Sequence, residues 1–123
     1  MREDWWPFRF SRTGNMVEED GVGFGAVGDW TLHYRSVDDR CFARERDGKE
    51  HFANSSFLAL AQMLMLWDAA YRRIQRECPD DSGEDWAKGD IIVREMERAM
   101  QTVDPTAFVD DSYLWPTLLF DMT

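Results

Sequence analysis

The hydrophobic pattern of this chain changes its period once, at residues 54–56. Before that point Trp30, Leu32 and Tyr34 alternate with polar residues, which is the two-residue period of a half-buried strand. After it, apolar residues recur at helical spacing, and the predicted stripe is Phe57, Leu60, Ala61, Leu64, Trp67, Tyr71 and Ile74. The sequence therefore predicts an α+β fold in which strands come first and helices follow.

The first half of the chain carries the signals of an antiparallel meander. Predicted strands cover 22–27, 30–35, 41–45 and 50–53. Asp47-Gly48 is typical of the tight turn of a hairpin between the last two. Further upstream, Trp6, Phe8 and Phe10 predict either a short strand or an apolar strap against the core.

Residues that favour helix ends divide the second half. Asn54, Ser55 and Ser56 are expected to close the strand-to-helix turn and cap the first helix, each cap stabilising by about 1 kcal/mol. Pro79 ends that helix, because proline lacks a backbone N–H. A second helix is predicted over 86–103, with Ile92, Val93, Met96, Ala99, Met100 and Val103 inward.

A third helical segment is predicted near the end of the chain. Asp104-Pro105 ends the second helix, and Asp110-Asp111-Ser112 caps the third. Its packing residues are expected to be Tyr113, Trp115, Leu118, Leu119 and Phe120. The prediction is one domain over 1–123, in which a β-meander packs against two to three helices.

Negative charge is concentrated in the last third of the chain. The formal net charge is −10, and residues 77–123 contain twelve acidic but only three basic side chains. This excess disfavours direct binding to nucleic acid or to an anionic membrane, since both need clustered cations. Two interpretations stay open, namely solubility and a surface complementary to a basic partner.

Signatures of catalysis are scarce. His33 and His51 are predicted to be half-exposed strand residues without metal-ligand spacing, and a Cys41–His51 pair lacks a third orienting group. Gly21–Gly25 lacks the spacing of a phosphate loop, and a β-turn or bulge is preferred. Paired acids such as Asp38-Asp39 are interpreted as solvated turns. We therefore expect no catalytic residue, no metal site and no cofactor.

The chain is expected to act in the cytoplasm. Its first residues carry no apolar signal segment, and the longest apolar run, 57–67, is about half of what a bilayer requires. Cys41 and Cys78 match no zinc or redox motif, so both are predicted to be free thiols.

An ordered series of motifs resembles the SUKH superfamily of bacterial immunity proteins. The series comprises the strand–Asn54-Ser55-Ser56–helix junction, Leu66-Trp67-Asp68, Asp104-Pro105 and the Trp115-containing ending. It is most similar to the branch found beside nucleic-acid deaminase and other polymorphic toxins. The similarity covers roughly residues 20–121, and the sequence departs from typical members in lacking extra helical sequence before the meander.

The resemblance implies a protein that functions by binding and not as an enzyme. Its partner would be a cognate toxin domain, whose active site or substrate entry it would block. The acidic last third suits a basic toxin cleft, and the expected contact residues are Asp80, Asp81, Glu84, Asp85, Asp110 and Asp111. Asn54, Ser55, Ser56, Trp67 and Trp115 would be structural. The alternative is an acidic phage-type inhibitor or nucleic-acid mimic with no dedicated toxin.

Overall fold

In the described part of the chain six strands precede three α-helices, which confirms the predicted order of strands first and helices second; the strand at Met16–Glu18 was not predicted. The computed structural model describes residues 7–10, 16–18, 21–80 and 82–122. The strands are β1 (Phe8–Phe10), β2 (Met16–Glu18), β3 (Gly21–Val27), β4 (Trp30–Arg35), β5 (Arg40–Arg44) and β6 (Glu50–Asn54). The helices are α1 (Phe57–Glu77), α2 (Gly83–Val103) and α3 (Leu114–Met122), with a 3-10 helix over Pro105–Phe108 before α3. The α+β prediction is confirmed.

The strands form one antiparallel sheet in the order β1-β3-β4-β5-β6, and β2 also pairs with β3. Phe8 pairs with Val27, so the first aromatic stretch is a strand and not a strap; Trp6 lies outside the described residues. Gly48 has a φ of 94°, which glycine adopts at little cost, and its N–H donates to the Glu45 carbonyl at 2.9 Å. This turn closes the predicted hairpin between β5 and β6.

A bulge in β6 turns Asn54 into the protein interior. Phe52 pairs with Phe42, whereas Asn54 pairs with Cys41, so Ala53 is the extra residue. Strict alternation from the buried His51 would place Asn54 on the outer face of the sheet. After the bulge it lies instead beside the buried Cys41, and its own exposed fraction is 0%.

The buried Asn54 side chain joins the sheet to all three α-helices. Its Oδ1 accepts a hydrogen bond from Trp115 Nε1 at 2.8 Å, and its Nδ2 donates to Asp104 Oδ2 and Met63 Sδ, both at 2.9 Å. Ser55 donates to the Asp104 carboxylate from its backbone N and its Oγ, both at 2.8 Å. We call the buried Asn54, Asp104 and Trp115, together with the exposed Ser55 that bonds to Asp104, the buried polar network.

This arrangement differs from the capping role expected for Asn54 and Ser55. The residue that caps α1 is Ser56, whose extended backbone (φ −152°) lets its Oγ accept from the Ala59 N–H at 3.0 Å. Asn54 and Ser55 instead bind side chains from elements that are distant in the sequence.

The core lies between the sheet and the three helices. Phe8, Trp67 and Trp115 form an aromatic cluster in which the three ring-centroid distances are 5.5, 5.6 and 5.9 Å. Both tryptophans are fully buried, Trp67 on α1 and Trp115 on α3. Such aromatic contacts stabilise beyond simple area burial. The N-terminal strand is therefore held against the end of the chain.

The buried face of α1 is rotated from the predicted stripe. Its buried residues are Ala59, Leu60, Met63, Trp67, Ala70 and Ile74. Met63 is fully buried although it was expected off the stripe, and Phe57 is 45% exposed. The rotation follows from two packing partners, since α1 contacts α2 as well as β5 and β6.

The last two helices keep most of their predicted inward residues. Ile92, Val93, Met96 and Met100 of α2 are buried, and α2 begins at Gly83, three residues before the prediction. In α3, Leu114 and Leu119 are buried, whereas Phe120 is 79% exposed. Phe120 was expected to pack inward; it lies about 100° around the helix from Leu119, beyond the buried face.

Replacing Asn54 should destabilise the fold more than replacing the helix cap. Asn54→Ala leaves Trp115 Nε1 without its acceptor and removes a donor from the buried Asp104, which should lower the free energy of unfolding by about 2–4 kcal/mol. Ser56→Ala, the matched control, should cost about 1 kcal/mol. Urea unfolding of both variants measures the difference, and equal losses would contradict the role of the network.

Candidate functional site

The predicted acidic contact residues fall into two groups at opposite ends of α2. Asp80, Glu84 and Asp85 lie in the α1–α2 loop and the first turn of α2, and Asp81 lies outside the described residues. Asp110 and Asp111 lie between the 3-10 helix and α3. The structure therefore does not bring the five described acids into one patch.

The separation follows from the length of α2. Asp111 lines a groove together with Glu97, a residue in the second half of that helix. At about 1.5 Å of rise per residue, Glu97 lies about 18 Å along the axis from Asp85. That distance exceeds the Debye length of about 8 Å at physiological salt, so the two groups act as separate electrostatic surfaces.

Asp85 is buried and bonds within the fold, and its expected place on the contact surface stays a prediction. Its exposed fraction is 8%, and its Oδ2 accepts a hydrogen bond from the Asp80 N–H at 2.6 Å. Its own N–H donates to Ser82 Oγ at 3.2 Å, with Ser82 as the N-cap of α2. The carboxylate thereby joins the loop to the helix start, where negative charge is favoured, and α2 begins earlier than periodicity alone predicts.

The remaining acids of the loop group point toward solvent. Asp80 is exposed, and the Glu84 side chain is 82% exposed. Glu84 Oε1 lies 3.9 Å from Lys88 Nζ, an exposed ion pair of the kind that stabilises little. These two carboxylates are available to a partner without loss of a strong internal contact.

Asp110 organises the turn before α3. Its Oδ1 accepts hydrogen bonds from the backbone N and the Oγ of Ser112, both at 2.8 Å. The backbone bond, followed by the hydroxyl bond, lowers the pKa of the Asp110 carboxyl below its ordinary value. The next residue, Asp111, is exposed. The pair thus combines a turn-forming carboxylate with one that faces solvent.

Ion pairs compensate part of the negative charge of the last third. Arg73 bonds to Glu77 Oε2 at 3.0 Å and to Glu95 Oε2 at 2.8 Å, and Arg94 bonds to Asp90 Oδ2 at 3.0 Å. Asp85 and Asp104 are buried as well. Among the described residues of this region, five other acids are at least partly exposed. They are Asp80, Glu84, Glu97, Asp110 and Asp111.

A groove of about 290 Å³ runs between α2 and α3. Its lining residues are Arg94, Glu97 and Gln101 from α2, Phe108 and Asp111 from the connection, and Pro116, Leu119 and Phe120 from α3. The α2 wall is polar, and the α3 wall is apolar. Sequence reasoning did not find this groove, because periodicity assigns faces to single helices and not the gap between two of them.

Both histidines are buried, and His51 takes part in contacts between elements of the fold. Both were expected to be half exposed, but His33 is 7% and His51 is 8% exposed. His51 stacks on Trp30 with ring centroids 4.2 Å apart. Its Nε2 lies 2.6 Å from Glu45 Oε2 and its Nδ1 lies 2.8 Å from the Ser112 carbonyl oxygen. These contacts connect β6 to the start of α3 and explain the burial.

Cys41 is buried and chemically protected. Its exposed fraction is 1%, and burial, with the nearby charges of Asp39 and Asp104, raises the pKa of its thiol to about 12. The reactive thiolate is therefore scarce at neutral pH. Cys41 and Cys78 are both free thiols, as predicted. Among the described residues, no three His, Cys, Asp or Glu side chains are grouped so as to hold a metal ion.

The motifs by which the sequence resembles SUKH immunity proteins occur in the structure in the expected order. They are the sheet, the Asn-Ser-Ser junction, the Asp-Pro motif and the last helix with its tryptophan. Residues 9–121 match the family described as SUKH-4 immunity protein, and the chain belongs to that family. No curated protein sequence and no solved structure matches it significantly. Within the part of the chain that the structure covers, no helix has the length and apolar character needed to cross a membrane.

Asp85 and Glu84 should respond differently to the same truncation. Asp85→Ala removes the acceptor of the Asp80 N–H at the buried helix start, which should lower the free energy of unfolding by about 1–3 kcal/mol. Glu84→Ala, its exposed neighbour, should stay within about 0.5 kcal/mol of the parent. Chemical denaturation of both variants tests this, and a harmless Asp85→Ala would show that the carboxylate has no structural role.

Cys41 should resist alkylation until the protein unfolds. In a Cys78→Ser background, iodoacetamide should label Cys41 at least about 100-fold more slowly than a free cysteine, because the thiol is buried and protonated. Addition of urea above the unfolding midpoint should abolish this protection. Mass spectrometry over time gives the rate, and fast labelling of the folded protein would be incompatible with the buried thiol.

Proposed function

We propose that this protein binds a cognate toxin domain that acts on nucleic acid, a deaminase or a nuclease, and neutralises it with the acidic surface of its C-terminal helices. The observation that carries the proposal is a set of at least partly exposed carboxylates in the α1–α2 loop, on α2 and before α3: Asp80, Glu84, Glu97, Asp110 and Asp111. Membership of an immunity-protein family supports a toxin as the partner. Asp81 remains a proposed contact residue.

Charge complementarity supports the type of toxin. An enzyme that acts on nucleic acid needs a cationic groove for the phosphate backbone. An acidic protein surface is attracted to such a groove, and complementary potentials raise the rate of association. A protein seated over the groove excludes the substrate without any chemistry of its own, so the proposal needs no catalytic residue and no cofactor.

The acidic phage-type inhibitor would use a similar surface against host enzymes. The family match favours immunity, because it links the chain to proteins with a dedicated toxin. Under this proposal the protein acts in the cytoplasm, where nucleic acid is the toxin's substrate. A large secreted multidomain protein encoded next to it would agree with immunity, whereas a phage operon would favour the alternative.

Co-expression with the toxin encoded by the neighbouring gene should restore growth of the producing cells. The toxin must be shown to kill when it is expressed alone, and an inactive toxin serves as the control for expression burden. Continued killing in the presence of folded, well-expressed protein would refute the immunity function against that toxin.

Charge reversal should slow association with the toxin. Glu84→Lys combined with Asp111→Lys should reduce the association rate about tenfold at low salt and flatten its dependence on ionic strength. Asp29→Lys combined with Asp68→Lys changes the charge equally on the β3–β4 turn and α1, and should have a smaller effect. Stopped-flow mixing gives both rates, and equal slowing by the two variants would argue against a localised acidic surface.

A further inference from the structure

We infer that the groove between α2 and α3 receives a single arginine or lysine side chain of the toxin. This inference rests on the proposed function, because it requires a basic protein partner. It goes further by assigning the contact to one of the two acidic groups and by naming the chemistry that the groove recognises.

The size of the groove suits a side chain better than a cofactor. Its volume of about 290 Å³ lies just below the range of about 300–1,000 Å³ that is typical of small-molecule sites. It lies between two helices whose positions the core fixes through Met96, Met100 and Trp115, all of them buried. The walls of the groove are therefore already in place before a side chain binds.

The α3 wall of the groove matches the aliphatic part of a long cationic side chain. Phe108 and Pro116 are partly buried, Leu119 is 6% exposed, and Phe120 extends outward with 79% of its surface exposed. Lysine and arginine pack their methylene stems along such apolar surfaces while the charged end stays near water.

The α2 wall and the end of the groove match the charged part. Glu97 and Asp111 both line it, and neither forms an ion pair within the described part of the chain. Glu97 Oε2 accepts only a long bond from Gln101 Nε2, at 3.5 Å. The cation that lines the groove, Arg94, bonds to Asp90 Oδ2 at 3.0 Å, so its charge is already compensated.

Other guests fit these walls less well. An acidic guest would be repelled by Glu97 and Asp111, and a wholly apolar guest would remove their water without replacing it. A cation with an aliphatic stem satisfies both walls, and carboxylate–guanidinium hydrogen bonds are among the stronger polar contacts in proteins. Arginine is also frequent among the few residues that dominate interface affinity.

The assignment has a consequence for inhibition. In a nucleic-acid-processing toxin, exposed arginines and lysines of the substrate groove contact phosphates. A groove that captures one of them competes directly with the substrate for that residue. Inhibition would then depend on one contact in the groove in addition to long-range attraction.

The test compares two groove variants with controls of the same chemistry elsewhere. Glu97→Gln combined with Asp111→Asn, and separately Phe120→Ala, should each raise the Kd for the purified toxin domain at least about tenfold. Asp29→Asn combined with Asp68→Asn, on the β3–β4 turn and α1, and separately Leu58→Ala, 67% exposed on α1, should stay within about threefold. Isothermal titration calorimetry at physiological salt gives the Kd values, and thermal unfolding checks that every variant is folded.

A double-mutant cycle identifies the guest. When each basic residue of the toxin groove is changed to alanine, one of them should lose its effect in the Asp111→Asn background. If the folded groove variants bind as tightly as the parent, or if no basic residue couples to Asp111, the groove assignment is wrong while the immunity function stands. If the parent protein fails to bind the toxin, the proposed function fails first and the groove assignment with it.

Discussion

The carboxylate of Asp104 is the buried charge around which the domain is organised. A buried carboxylate destabilises a protein unless hydrogen-bond donors surround it. Here Asn54 and Ser55 supply three donors from the end of β6, and the Asn54 amide oxygen accepts in turn from Trp115. Because these partners come from the sheet, the end of α2 and α3, the network forms only when all three are in place.

The same network determines where the proposed contact surface lies. Asp104 ends α2, Pro105 begins the 3-10 helix, and the connection then returns through the Asp110 turn to α3. His51 bonds to the Ser112 carbonyl and fixes the start of α3 from the sheet side. The backbone that carries Phe108 and Asp111 is therefore held in place by contacts with the interior, and these two residues line the groove.

The change of hydrophobic period at residues 54–56 is enough to predict that strands come first and helices follow, because the two periods differ strongly. It could not reveal that Ala53 forms a bulge, since one extra residue depends on pairing with a distant strand. Because the sequence does not show the bulge, it predicts that Asn54 caps the helix. Acid positions were equally ambiguous: Asp85 and Asp111 have the same side chain, and only tertiary packing shows that one is buried and the other exposed. The groove could not be predicted from the sequence, because it depends on how α2 and α3 lie relative to each other.

The buried acids and the exposed acids have different roles: the buried ones stabilise the fold, and the exposed ones are available to a partner. Asp85 and Asp104 bond to backbone or side-chain donors of the fold, so their replacement changes the protein itself. Glu97 and Asp111 lie outside the buried polar network, on surfaces where substitution leaves those bonds intact. A domain built in this way can acquire a new partner through a few surface changes while its interior stays the same.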